Sequence, residues 1–347
     1  MKISVIATGG TIGSQTGSEG IRALRHDLDA IGRVLKNRPN GYPQDDLTVI
    51  YPFTLLSENM VPDDWVRLGE VIAKEIKKGA DAIVVTHGTD TMAYSLSAVS
   101  FILSAVPVPI VFTGALHPYG ADDGDGERNL WDSILFAAEH EWAGVFLVFQ
   151  SSERNSRWVY WGPRVQSMKT GGRYFETIDN SQVAKITRGK ILEAKNPFKR
   201  RRRKSGQEIQ INPALDEKVE VFKIYPGFNP LLLLGAIDRG TKAVLIDVYH
   251  SGTACVRDGS YRNYSLLPAI QMLRQSKVAV LGAGVVQYHA ERYETASKLV
   301  EAGLHPLGRM SLEASVVKAM CLLGRGIQPD DLGSEMDKQI LFEIAIG

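Results

Sequence analysis

Two short stretches combine hydroxyls, glycines and a carboxylate in a way that suits acyl chemistry: Thr8-Gly9-Gly10-Thr11-Ile12-Gly13 and Thr86-His87-Gly88-Thr89-Asp90-Thr91-Met92. A threonine hydroxyl is a poor nucleophile unless a neighbour takes its proton. Thr89 beside Asp90, with a lysine, supplies the parts of such a relay, while Thr11 sits at the rim of a tight glycine turn. Glycine lets the backbone approach a ligand closely, and free N–H groups at a helix start stabilise a tetrahedral oxyanion. The pattern points to acyl transfer through a threonine ester. Plainer accounts use the same residues: Thr89 or Asp90 capping a helix, and Thr8–Gly13 forming an ordinary turn. The first glycine turn lacks the Gly-x-Gly-x-x-Gly spacing of a dinucleotide loop and the Gly-Lys-Ser/Thr ending of a P-loop.

The elements around these stretches must bring them together. Ala82-Ile83-Val84-Val85 is a short apolar run of the kind that forms a buried parallel strand, and Met92, Leu96, Val99 and Leu103 behind it recur at helical spacing. The second stretch is therefore a strand-to-helix turn at the carboxyl edge of a sheet, where open α/β folds bind ligands. Strand-like runs at 2–7, 47–52, 81–86, 108–113 and 144–150 alternate with helical patterns. The clearest helix follows Pro62, with Trp65, Leu68, Ile72 and Ile76 on one face and Asp63 and Asp64 in the first turn. Another is expected around 128–140 with Leu130, Ile134 and Ala137 inward, and 151–180 reads as short strands and loops. The basic run Lys199-Arg200-Arg201-Arg202-Arg203-Lys204 follows Asn196-Pro197-Phe198, and loss of periodicity there reads as a linker. The strand–helix rhythm then resumes, with strands at 219–224, 243–248 and 278–281 and helices at 266–273, 291–302 and 311–323.

A chain of 347 residues has room for two domains, and 44% hydrophobic with 23% charged residues is the composition of an ordinary globular protein. A net charge of +1 provides no global field for nucleic acid or an anionic membrane. Two cysteines, Cys255 and Cys321, offer neither a disulfide framework nor a metal cluster. The apolar start is too short for a signal peptide, and no run approaches the ~20 apolar residues that span a bilayer, so a cytoplasmic protein is expected.

Taken together, Ala7-Thr8-Gly9-Gly10-Thr11-Ile12 and Thr86–Met92 closely resemble the bacterial-type L-asparaginase/glutaminase family. Leu56-Ser57-Glu58-Asn59-Met60, Phe112-Thr113-Gly114-Ala115 and Asp125-Gly126…Asn129-Leu130 extend the resemblance over most of residues 1–180. The helix start Pro62–Trp65 and Tyr94-Ser95 are more similar to cytoplasmic type I enzymes than to secreted type II. The resemblance implies hydrolysis of L-asparagine, with L-glutamine the other candidate, without cofactor or metal. It casts Thr11 as nucleophile and Thr89, Asp90 and Lys169 as a second triad. It also assigns Gly10, Ser57, Glu58, Gly88, Thr89, Asp90 and Ala115 to substrate binding. Arg164 and Arg173 rival Lys169, because the segment 162–170 carries extra spacing relative to some relatives.

The resemblance has departures. Ser14–Leu24 has no tyrosine where the family often has one, and Ser57-Glu58-Asn59 replaces a common Ser-Gln-Asp. The second feature resembles the amidotransferase branch, which releases ammonia for misacylated tRNA. That branch and a non-catalytic amino-acid sensor are the alternative functions. The expected fold is α/β: a larger doubly wound, flavodoxin-like parallel-sheet domain over 1–195, a basic linker at 196–216 and a smaller Rossmann-like domain over 217–347. A homodimer or homotetramer is expected, with Tyr249–Thr253 placed to reach a neighbour's site; neither membrane nor nucleic acid is an expected partner.

Overall fold

The computed structural model describes residues 1–17, 20–23, 29–43, 45–117, 124–139, 141–153, 155–194, 208–257 and 264–345. The chain divides into two compact units, Met1–Pro213 and Ala214–Gly347. The basic run at 199–204 lies outside the described residues.

The first unit is built on a sheet of β1 (Lys2–Ala7), β2 (Asp46–Ile50), β3 (Ala82–Thr86), β4 (Pro109–Thr113), β5 (Gly144–Gln150), β6 (Ser156–Trp161), β7 (Gln182–Thr187) and β8 (Lys190–Glu193). Its order is β8-β7-β6-β5-β4-β3-β1-β2. The pairings from β2 to β5 are parallel, and β6, β7 and β8 extend the sheet antiparallel. The sheet is thus mixed rather than wholly parallel. The antiparallel extension comes from a half-polar segment in which Trp158, Tyr160 and Trp161 are mixed with charges, so no continuous apolar run announces it.

Every residue of β3 and β4 is buried, as required of central strands covered on both faces. Ala82 and Val84 of β3 pack with Leu130, Trp131 and Ile134 of α4 (Gly126–Glu139), and with Ile31 and Val34 of α1 (Asp29–Lys36). The other face carries α2 (Pro62–Lys77) and α3 (Met92–Ile102). Trp65, Leu68 and Ile72 of α2 are buried and Ile76 is half-buried. The start of α2 is fixed by Pro62 and by the Asp64 carboxylate, which accepts the Val61 N–H at 3.0 Å. Gln210–Ile211, within the stretch expected as linker, pairs antiparallel with Leu103–Ser104.

The second unit holds four parallel strands, β9 (Val219–Lys223), β10 (Ala243–Asp247), β11 (Ala279–Ala283) and β12 (His305–Pro306), in that order. Its helices are α5 (Leu231–Asp238), α6 (Leu267–Gln275), α7 (Glu294–Glu301), α8 (Leu312–Gly324) and α9 (Pro329–Met336). Within this unit Lys318 of α8 is fully buried. Its ammonium donates to the carbonyls of Met336 (2.8 Å) and Lys338 (2.6 Å) and to the Glu343 carboxylate (2.6 Å). Glu343 in turn accepts the N–H groups of Ile340 and Leu341, so both charges are satisfied inside the protein. Among the described residues no helix is long and apolar enough to cross a membrane.

Candidate active site

Parallel pairing levels the ends of three strands. Ala7 of β1 stands opposite Thr86 of β3, and Thr86 opposite Thr113 of β4. The turns that follow therefore begin side by side at one sheet edge. They are stitched by backbone: Thr8 N donates to Thr86 O at 3.2 Å and His87 N to Thr113 O at 2.9 Å. The Thr8 hydroxyl also donates to Thr86 O at 2.9 Å. A fourth segment joins through Leu55 N, which donates to Thr8 O at 3.1 Å.

At this edge the backbone is packed without room for side chains. Gly10 has φ +79°, and a Cβ on it would lie 2.5 Å from Gly88 N and 2.7 Å from Gly88 Cα. A Cβ on Gly88 would fall 2.7 Å from Ser57 Cβ. The turns bearing Thr11 and Thr89 thus touch, and Ser57 closes on them from the third side. Thr11 opens a short 3-10 turn (Thr11–Gly13) that leads into a hairpin pairing Ser14–Gly17 with Gly20–Ala23. Thr11 and Thr89 are half-buried, Ser57 and Ala115 buried, and Glu58 and Asp90 exposed.

Helix capping does not explain Thr89 or Asp90, because the N-cap of α3 is Thr91. Even Thr91 makes no cap bond; its hydroxyl donates to Ser57 O at 2.8 Å, tying the Ser57 turn to the start of α3.

Two buried polar networks support this edge, and neither is evident in the sequence. Beneath Gly88, His87 is fully buried: Nδ1 lies 2.7 Å from Gly88 O, and Nε2 2.9 Å from Ser95 Oγ. Ser95 accepts the indole N–H of Trp65 at 3.0 Å. Burial pulls the His87 pKa down to about 4, so the imidazole is neutral at neutral pH. The sequence signals are His87 inside the Thr86–Met92 stretch and Trp65 and Ser95 inside the segments similar to type I enzymes, none of which announces the bonds between them.

The second network lies behind Gly114. Asn129 Nδ2 donates to Gly114 O (2.9 Å) and to Asp125 (3.0 Å), and Asp125 also accepts the N–H groups of Leu116 and His117. Arg157 donates to Asn129 Oδ1 at 3.1 Å and faces the Asp132 carboxylate at 3.4 Å. Asp132 accepts the Tyr42 hydroxyl at 2.6 Å. Burial raises the Asp132 pKa and lowers that of Arg157, each opposed by the charge of the other.

Among the described residues Lys169 bonds to none of these groups. Its side chain is 78% exposed, and its hydrogen bond among the described residues is to Glu176 at 2.7 Å. That bond holds its pKa above the ordinary lysine value. Of its two rivals, Arg164 is buried, with Nη1 donating to Ser181 Oγ at 3.3 Å, and Arg173 is exposed. In the second unit, Tyr249–Thr253 forms a turn in which Tyr249 N donates to Thr253 O and Gly252 N to Tyr249 O. Among the described residues no cluster of His, Cys, Asp and Glu could hold a metal ion.

A family model described as Asparaginase, N-terminal, matches residues 2–199. An L-asparaginase of Thermococcus kodakarensis is 28% identical, over 99% of this chain and 99% of its own. A subunit of the glutamyl-tRNA(Gln) amidotransferase of Methanobrevibacter smithii is 31% identical, covering 98% of this chain and 76% of its own length. The solved structure of the thermostable L-asparaginase from Thermococcus kodakarensis superposes with a TM-score of 0.82 at 28% identity, covering both chains completely. L-asparaginase I from Vibrio cholerae shares the fold, with a TM-score of 0.79 at 22% identity and 99% coverage of both chains.

Proposed function

The chain belongs to the asparaginase family, and from that premise we propose that it hydrolyses L-asparagine to L-aspartate and ammonia through an acyl ester on Thr11. One observation carries this reading. The contact of Gly10 with Gly88 sets the Thr11 and Thr89 turns against each other at a sheet edge, with Ser57 beside them. Its likeness to an L-asparaginase over 99% of both chains supports the choice of substrate.

The proposed sequence of events balances simply. The Thr11 hydroxyl attacks the side-chain amide carbon, and its proton passes through Thr89 towards Asp90 and Lys169. Backbone N–H groups at the joined turns stabilise the oxyanion, and ammonia leaves with the proton returned to it. Water then attacks the ester and restores Thr11. Lys169 enters the relay on leaving Glu176, which lowers its pKa from the raised value that the pair imposes. Ser57 and Glu58 hold the α-carboxylate and α-amino end, and Ala115 faces the amide.

A second reading, part of a tRNA-dependent amidotransferase, is favoured by the 31% identity to the Methanobrevibacter smithii protein. The deciding experiment measures ammonia release from free L-asparagine and L-glutamine by the purified protein, with and without tRNA. Turnover of asparagine that is unaffected by tRNA supports hydrolysis; release that depends on misacylated tRNA replaces it with the amidotransferase reading.

A further inference from the structure

His87 is not among the residues assigned to the proposed chemistry, yet it is fully buried directly under the Gly88–Thr89 peptide. Its hydrogen bonds admit one neutral form. The Gly88 carbonyl can only accept, so Nδ1 carries the proton. Nε2 then has a lone pair and accepts the Ser95 hydroxyl proton. Ser95 is left with a lone pair for the indole N–H of Trp65, a group that can only donate. Donors therefore run in one direction, Trp65 to Ser95 to His87 to Gly88 O.

The last bond in that chain acts on the site. A trans peptide is planar, with its C=O and N–H pointing in opposite directions, and among the described residues no peptide is cis. Drawing the Gly88 carbonyl inward onto His87 turns the Thr89 N–H outward. Thr89 makes no hydrogen bond to any described residue; it is half-buried and follows Gly88, which packs against Gly10 and Ser57. We propose that His87 is a positioning residue: locked as the Nδ1–H tautomer by Ser95 and Trp65, it holds the Gly88 carbonyl inward and aims the Thr89 amide at the oxygen of the substrate amide. This rests on the hydrolytic reading of the site for its consequence, but not for its geometry.

The test has two arms. In the first, long-range proton–nitrogen correlation NMR of protein labelled with nitrogen-15 at histidine identifies His87 by the signal lost in His87→Asn. The Nδ1–H form at neutral pH is expected in the wild type, and a mixture of tautomers in Ser95→Ala; an Nε2–H imidazole in the wild type overturns the proposal. The second arm is kinetic. Asn retains a donor at the Nδ1 position and Leu does not, so His87→Leu should lower kcat about 100-fold with KM within about threefold, the scale of one lost oxyanion donor. His87→Asn should keep kcat within about tenfold of wild type. Should His87→Leu fail to fold, Ser95→Ala and Trp65→Phe replace it, each lowering kcat while leaving KM unchanged. Equal losses in the Asn and Leu variants, or a fall in Tm with kcat unchanged at a temperature where the protein is folded, would show a merely structural histidine. If the wild type hydrolyses no amide at all, the functional reading fails instead, and the tautomer measurement still decides the geometry.

Discussion

Gly10 and Gly88 lie so close that a Cβ on the first would fall 2.5 Å from the backbone nitrogen of the second. Gly10→Ala has to open that contact and also place a side chain at φ +79°. It should cost about 1–3 kcal/mol of stability and lower kcat at least ~100-fold, because the two turns move apart by more than the proposed reaction tolerates. Urea unfolding and steady-state ammonia release measure the two effects; unchanged kcat in a folded variant would detach the contact from catalysis.

Thr11→Ala should abolish turnover, with kcat at least ~1000-fold lower, and leave circular dichroism and Tm close to wild type. Thr89→Val should fall into the same range, since groups in one relay do not contribute additively. Mass spectrometry of acid-quenched reactions should find an acyl adduct on the Thr11 peptide of the wild type. Residual full activity in Thr11→Ala would remove the nucleophile assignment.

Lys169 is paired with Glu176 at the surface. Lys169→Met should reduce kcat about 100-fold with little change in KM, the scale of lost acid–base assistance. Glu176→Gln releases the lysine and should leave kcat within about threefold of wild type or above it. A loss confined to Arg164→Ala or Arg173→Ala would move the role to that residue.

Folding stability should depend on pH through His87. Its pKa is about 4 in the folded protein and 6.5 in the unfolded chain, so between these values the unfolded state binds more protons. The contribution is fully present above pH 6.5 and is lost as pH falls towards 4, by on the order of 3 kcal/mol. Urea midpoints measured across that window for wild type and His87→Asn should converge at low pH; parallel curves would contradict the assignment.

Asp132→Ala should destabilise the first unit by about 3–5 kcal/mol, because it leaves Arg157 buried without its counter-charge. Tyr42→Phe removes one hydrogen bond to the same carboxylate and should cost about 1–2 kcal/mol. Equal effects in chemical denaturation would mean that the ion pair adds nothing beyond the hydrogen bond.

How much of the structure is legible in the sequence depends on whether the relevant physics is local. The strand expected at 81–86 is observed as Ala82–Thr86, and the one at 144–150 as Gly144–Gln150, because a strand buried on both faces must be a continuous apolar run. Strand ends then fix where Thr8 and His87 emerge. The resemblance picks out Asp125 and Asn129, but the rest of the support behind Gly114 is invisible, since Tyr42 and Arg157 reach Asp132 and Asn129 from distant parts of the chain and none has a period to announce it. The apolar run Leu231–Ala236 lies in a helix, Leu231–Asp238, that short-range pattern does not distinguish from a strand. The family resemblance points to Lys169, but a resemblance in sequence says nothing about which way a surface side chain turns.

The Lys318 ammonium has consequences for how the protein is made. Until residue 343 has left the ribosome, α8 carries a positive charge destined for a dry interior with no anion to meet it. An unpaired ion there costs several kcal/mol, enough to hold the second unit open. The nascent sheet and helices up to Gly324 should therefore stay loosely packed and accessible to chaperones, while the first unit, already synthesised, is free to fold. Closure of the second unit around Lys318 and docking of the segment that carries Glu343 should therefore occur together.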